Sequence, residues 1–212
     1  YEEVEYVKTK FEDLTNDMIR EKVKAAGVVG MGGAGFPCHV KLCPPPTAKA
    51  ECVILNGVEC EPYITSDYRL MLEHADEILV GLDLLMRAAH VERGYIGIEE
   101  NKPDAICLLQ EKTANRQDIK IVPLKMKYPQ GGEKQLVDAV IDRQVPAPPA
   151  IPVNVGAIVQ NVATAYAVYQ AVMKHKPLFE RYTTVSGLAM GKSANYLCLL
   201  YTSPSPRDYA AS

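Results

Sequence analysis

The 212-residue sequence contains no tryptophan and only three phenylalanines. One of these, Phe36, falls between glycines and Pro37, where it either stacks on an aromatic ring or fills a core position. The six cysteines, Cys38, Cys43, Cys52, Cys60, Cys107 and Cys198, form no C-x-x-C pair, which argues against a zinc or iron–sulfur site in this stretch. A chain of this length builds a core without disulfides, so free thiols in a reducing cytoplasm are expected. His39, His74, His90 and His175 are scattered and read as surface or cap residues. No Ser-His-Asp or Cys-His arrangement is visible, and Cys60, between Glu59 and Glu61, sits where a thiolate is disfavoured. Charge interrupts every apolar run well before the ~18 residues that a transmembrane helix requires. There is no signal-peptide pattern. A net charge of −3 gives no pull towards nucleic acid or an anionic membrane surface.

What is present is an ordinary soluble composition, 48% hydrophobic and 23% charged, and a length that fits one domain or one and part of a second. The first residue is Tyr1 rather than methionine, so the chain is expected to be a piece of a longer protein. Its most unusual stretch runs from Gly30 to Lys41, G-M-G-G-A-G-F-P-C-H-V-K. Glycine lets backbone approach a ligand with no Cβ in the way, and a loop this rich in it is costly to order. Either the loop is a tight turn after a helix ending at Gly27, or it lies against a flat ring or a phosphate.

Thr15 is a suitable N-cap, and Met18, Ile19, Val23 and Ala26 recur at helical spacing before Gly27. Pro44-Pro45-Pro46 is a connector. Short apolar runs predict strands at Cys52–Asn56, Tyr95–Ile98, Ile119–Leu124 and Val155–Val159. Between them, Leu70 to Met86 reads as one long or two short helices with Ser66 as a cap. Pro103 opens a helix continuing from Ala105 to Glu111, and Leu136, Val137, Val140 and Ile141 share a helical face. Thr164 to Met173 is helical, and Val145 to Pro152 is a stiff proline-rich loop. Strands alternating with helices predict an α/β fold, a Rossmann-like four-stranded and mostly parallel sheet with helices on both faces.

Ligands bind such sheets beyond the carboxyl ends of the strands. Asn56, Glu59, Glu61, Gly131, Gly132, Glu133, Asn161 and Thr164 all follow predicted strands and are expected to converge there. In an extended segment Glu59 and Glu61 face the same way, able to accept hydrogen bonds from ribose hydroxyls or to remain a solvated acidic loop. Lys41 is either a phosphate partner or a surface lysine. Asn161 and Thr164 open a helix whose free N–H groups favour an anion, or simply cap it.

The four motifs G-x-G-G-A-G-F-P-x-x-x-K, N-x-x-E-x-E-P, Y-P-x-G-G-E-K and Q-N-V-x-T, in this order, resemble the C subunit of the Rnf electron-transport complex. More distantly they resemble the flavin-bearing NADH-oxidising subunit of respiratory complex I. The likeness runs from about Leu14 to about Gly187. It implies a lead-in over residues 1–14, an FMN- and NADH-binding α/β domain over 15–178, and over 179–191 the first strand of a truncated β-grasp domain. By the match, Gly30, Gly32, Gly33 and Ala34 would lie against the flavin and nicotinamide, with Phe36 lining the dinucleotide pocket. Lys41 would meet the flavin phosphate or ribityl chain. Asn56, Glu59 and Glu61 would bond flavin and nucleotide, Tyr128, Gly131, Gly132 and Glu133 would close the pocket, and Asn161 and Thr164 would sit by the phosphate.

The resemblance further implies hydride exchange between NAD(H) and FMN, with the chemistry residing in the cofactors and no catalytic side chain needed. Acidic residues near a ribose suit NADH better than NADPH. Electrons would pass to or from 4Fe–4S clusters, expected only in a C-terminal part that this sequence lacks. Partners would be the other subunits of a membrane-bound NAD:ferredoxin oxidoreductase, and ferredoxin indirectly. The protein would sit on the cytoplasmic face of the bacterial inner membrane, without insertion of its own. Met31, Val58 and Gly132 stand where complex I relatives carry arginine, aspartate and glutamate, which favours the Rnf type. Cys38 replaces a threonine usual after F-P. Related cobalamin reductases share much of the pattern, and a docking domain that has lost its cofactor is the non-catalytic alternative. Residues from about Lys192 to Ser212 fit nothing in the family, and Leu199 to Asp208 within them look like translated adapter sequence, so the tail is expected to be foreign. Alignment of the underlying DNA reads tests that expectation.

Overall fold

The structure is a computed structural model, and residues 9–200 of it are described; residues 1–8 of the expected lead-in and residues 201–212 of the expected foreign tail lie outside them. The chain enters through helix α1 (Asn16–Ala25). The Thr15 hydroxyl accepts from the Met18 N–H at its start, Ile19 and Val23 face the core, and Gly27 at φ +67° ends it. A single short turn of helix, α2 (Cys38–Lys41), follows the glycine loop. The central sheet is built from β1 (Cys52–Gly57), β2 (Gly94–Glu99), β3 (Ile119–Leu124) and β4 (Ala157–Asn161), all parallel in the order β3-β2-β1-β4. Pro123, which cannot donate to a ladder, is tolerated because β3 is an edge strand.

The predicted helical stretch between β1 and β2 is two helices, α3 (Ser66–Glu73) and α4 (Ala75–Ala88), broken at His74. Helix α5 (Pro103–Lys112) joins β2 to β3, α6 (Glu133–Ile141) precedes β4, and α7 (Val162–Met173) follows it. Val53, Leu55, Ile96, Ile98 and Ile121 pack with α1, α3, α4, α5 and α7 on one face. Ile54, Leu124, Ala157 and Val159 pack with Leu136 and Val137 of α6 on the other. Each face excludes water from a continuous apolar layer, which is the main stabilising term in such a sheet.

Helices α4 and α7 approach closely at Gly81. A Cβ there would lie 2.1 Å from the Ala165 carbonyl oxygen, a backbone atom that cannot swing away. Gly81→Ala is therefore expected to destabilise by about 3 kcal/mol or more, since overpacked cores must shift main chain. Thermal unfolding of the variant should show a midpoint lowered by roughly 6–12 °C. An unchanged midpoint would mean the two helices are not held at this distance.

The fourth strand departs from expectation by two residues. Pro152–Val155 forms a 3-10 turn and Gly156 adopts φ +88°, so the strand begins at Ala157 and ends at Asn161 rather than running from Val155 to Val159. The offset brings Asn161 into register with Asn56, the penultimate residue of β1. Further along the chain, β5 (Glu180–Val185) pairs antiparallel with β6 (Ala194–Leu199). The expected lone β-grasp strand thus has a neighbour, drawn from the segment expected to be foreign. Among the described residues no helix is long and apolar enough to cross a membrane.

Candidate functional site

Strand order fixes where a crevice opens. From β1 the chain moves outwards through β2 to β3, then returns over α6 to place β4 on the far side of β1. The sheet's winding therefore reverses between β1 and β4, and at such a reversal ligands bind beyond the carboxyl ends. Asn56 and Asn161 are the paired residues at that edge.

Both asparagines hold loops in place. Asn56 Nδ2 donates to the Gly131 carbonyl at 2.8 Å, and its Oδ1 accepts from Val58 N–H at 3.1 Å, so the second glycine turn is tied to the end of β1. Asn161 caps α7, its Oδ1 accepting from Ala163 N–H at 2.8 Å. Its Nδ2 donates to Asp67 Oδ2 at 2.6 Å. The glycine loop lies over it: a Cβ on Gly32 would come within 3.0 Å of Asn161 Nδ2. The loop itself is closed by a bridge between Val29 and Pro37 and by the Gly30 N–H donating to Phe36 O at 2.9 Å. Gly32, Gly33, Ala34 and Gly35 are exposed, and none of them forms a hydrogen bond to another described residue. Gly33 and Gly35 have nothing within 4 Å of where a Cβ would stand. Four successive exposed backbone N–H groups are thus without a partner among the described residues, and such runs of free N–H groups can cradle an anion or a ring edge.

Aromatic and charged side chains rim this space. Phe36 is 47% exposed, which removes the alternative of a core position, and Tyr128 is 69% exposed beside the second glycine turn. Lys41 Nζ donates to Glu133 Oε1 at 2.5 Å and to the Val159 carbonyl at 3.2 Å, so it is tied to β4 and to the start of α6 and is not a free surface lysine. Gly132 is the N-cap of α6 and Glu133 its first residue. A Cβ on Gly131 would lie 3.1 Å from Val58 O, which explains a glycine there by close packing.

Two expected contacts are built differently. Glu59 and Glu61 do not act as a pair. The Glu59 carboxylate accepts from the backbone N–H groups of Asp67 and Tyr68 at 2.7 and 2.9 Å, so it caps α3, the part expected of Ser66. Glu61 is exposed and without a hydrogen bond among the described residues. A carboxylate outcompetes a hydroxyl for two free N–H groups at a helix start, because the bond is charge-assisted and the dipole adds to it. Thr164, expected beside a phosphate, is fully buried, and its hydroxyl accepts from Met31 N–H at 3.0 Å. It anchors the glycine loop from behind.

Three further groups at this edge leave no local mark in the sequence. Burial, reinforced by the Glu59 carboxylate and offset by the Asn161 hydrogen bond, pushes Asp67 up to about 6. Glu99 at the end of β2 is buried with Lys102, whose Nζ donates to its Oε2 at 2.7 Å, while Oε1 has no partner among the described residues. Arg181, from β5, donates to the Met31 carbonyl. Burial also pushes the Cys38 thiol up to about 12, so this thiol is inert at neutral pH.

Asp67 predicts a measurable pH dependence. Its folded value lies above the unfolded one, so the folded state binds the proton more tightly. The stability this contributes is fully present below about pH 4 and is lost as pH rises through about 6. Thermal midpoints taken between pH 4 and 7 should decline with rising pH, and Asp67→Asn should flatten that decline. A variant with the wild-type slope would assign the titration elsewhere.

Residues 23–170 match the family model of the Nuo51 FMN-binding domain. The chain is 46% identical over 179 residues to the C subunit of the Na(+)-translocating ferredoxin:NAD(+) oxidoreductase complex of Acetobacterium woodii, covering 84% of this chain and 40% of that protein. It is 47% identical over 180 residues to the C subunit of the proton-translocating ferredoxin:NAD(+) oxidoreductase complex of Clostridium ljungdahlii, covering 85% and 39%. Among solved structures it is similar to a chain of an NAD+-reducing NiFe hydrogenase in the H2-reduced state, with TM-score 0.64 and 26% identity over 74% of this chain and 30% of that one. The chain therefore spans about two fifths of the length of these two curated relatives.

Proposed function

The chain belongs to the Nuo51 FMN-binding-domain family, among the C subunits of ion-translocating oxidoreductase complexes, and from that premise we propose that it is the flavin- and NADH-binding module of an Rnf-type NAD:ferredoxin oxidoreductase. The observation that carries the reading is the free glycine loop at the β1–β4 reversal, with open space at Gly33 and Gly35 and Lys41 at its edge. A planar ring with a phosphate tail suits that donor set: backbone N–H groups bond its heteroatoms, no Cβ obstructs its face, and a lysine meets its anion.

Gly30, Gly32, Gly33 and Ala34 line the floor of the flavin site in this reading, and Phe36 and Tyr128 flank it. Lys41 takes the phosphate, exchanging Glu133 for it. That exchange is inexpensive, because the pair is partly exposed and such pairs are worth ~0–1 kcal/mol. Asn56, Gly131 and Gly132 hold the opposite wall. Asn161 and Thr164 hold the loop rather than touch the phosphate, and Glu59 orders the α3 turn beside the nucleotide, leaving Glu61 the freer carboxylate for a ribose. FMN bound there supplies the hydride acceptor or donor opposite NAD(H). The protein's share is to exclude water and stack two rings. The 4Fe–4S clusters, the other members of the complex and ferredoxin belong to the remainder of the assembly, which would hold this module peripherally on the cytoplasmic face of the membrane.

The test is anaerobic. The 212-residue chain mixed with FMN should retain flavin through gel filtration with absorption bands shifted from free FMN, and NADH should bleach them. Flavin retained but unbleached would leave a binding domain without the proposed reaction. No flavin retained at micromolar protein would favour the docking reading.

A further inference from the structure

Met31 is the second residue of the glycine loop, and both peptide planes flanking it are held. On one side its N–H donates to the buried Thr164 hydroxyl at 3.0 Å. On the other its carbonyl oxygen accepts from Arg181 Nη2. Arg181 sits in β5, outside residues 23–170 that match the family domain. A trans peptide is planar, with its carbonyl and the following N–H pointing in opposite directions. Fixing the Met31 carbonyl towards β5 therefore turns the Gly32 N–H away from β5, to the exposed side of the loop, where it has no partner among the described residues. Asn161 closes the third side, its amide packed under Gly32 and bonded to Asp67. Arg181 also faces Asp67 electrostatically.

We propose that Arg181 is a positioning residue for the ligand loop: from β5 it sets the plane of the Met31–Gly32 peptide so that the Gly32 N–H is presented to an acceptor atom of the bound ligand. This rests on the flavin reading for the identity of the ligand, but not for the geometry of the loop. The guanidinium is suited to the task, since a charged donor on a carbonyl holds its direction more firmly than a neutral one. The consequence is that the ligand loop is completed from outside the residues that match the flavin-binding family.

The experiment compares the 212-residue wild type with Arg181→Gln, Arg181→Lys and Thr184→Val. Thr184 is the control because its hydroxyl ties β5 to the Thr65 N–H at 3.0 Å without touching the loop. Two-dimensional 15N–1H spectra without ligand should show the Gly32 amide displaced in Arg181→Gln, largely restored in Arg181→Lys, and unmoved in Thr184→Val. FMN titrations should then show about tenfold weaker binding for Arg181→Gln, partial recovery in Arg181→Lys, and wild-type binding in Thr184→Val. Equal losses in Arg181→Gln and Thr184→Val would reduce Arg181 to ordinary packing of β5 and overturn the proposal. An unmoved Gly32 amide in Arg181→Gln would overturn it too, as would a moved amide with unchanged FMN affinity. Should the wild type bind no FMN, the functional reading fails while the amide displacement still decides the clamp. If Arg181→Gln does not fold, Arg181→Met carries the comparison, with a displaced Gly32 amide and about tenfold weaker FMN binding expected.

Discussion

Gly32→Val is expected to abolish retention of FMN, weakening it by more than about a hundredfold, a loss of about 3 kcal/mol or more. The reason lies beneath the loop. A Cβ at Gly32 would stand 3.0, 3.2 and 3.3 Å from three atoms of the Asn161 side chain, and valine adds two methyl groups to that crowding. Either the loop lifts or Asn161 leaves, and Asn161 simultaneously caps α7 and holds Asp67. Loss of the cap alone costs about 1 kcal/mol, so a lowered melting midpoint should accompany the binding defect. Gly33→Ala separates the two effects. Nothing lies within 4 Å of a Cβ there, so stability should be untouched, while FMN affinity should fall because the methyl group enters the space reserved for the ring. Wild-type flavin affinity in both variants would move the site away from this loop.

The second large effect concerns charge. Lys41→Met should weaken FMN binding about thirty- to hundredfold, the size of a charge-assisted bond to a phosphate lost from a partly shielded site. Riboflavin, which lacks the phosphate, should bind wild type and variant alike. The comparison isolates the phosphate contact from any loosening of the fold, since a distorted crevice would reject both flavins. Part of the wild-type affinity is spent in displacing Glu133 from Lys41, so raised salt should erode FMN binding more than riboflavin binding. Equal losses for the two flavins in Lys41→Met would place the phosphate elsewhere.

Much of this architecture is legible in the sequence, for identifiable reasons. β1, β2 and β3 are short apolar runs bounded by turn residues, and burial and pattern agree along them. The two glycine turns stand out by their density alone. β4 lies two residues beyond its apolar run because Val155 belongs to a 3-10 turn set by Pro152 and Gly156. Local pattern also assigns side chains by spacing and cannot see competition. Alternation pairs Glu59 with Glu61, but the unsatisfied N–H groups of α3 claim Glu59. Thr164 has the place of an anion ligand at a helix start, and the fold buries it against Met31. Arg181 lies 150 positions from its acceptor, beyond the reach of any local rule.

The measurement that tests the central claim most directly is a titration of the isotopically labelled 212-residue chain with FMN, followed amide by amide. The site at the β1–β4 reversal predicts that the amides of Gly32, Gly33, Ala34 and Gly35 move first and furthest, joined by Asn56, Gly131 and Asn161. A second cleft, between α7 and β5 and lined by Gln170, Lys176 and Leu178, should stay still at those residues. Shifts concentrated in that cleft, or none at saturating FMN, would contradict the account.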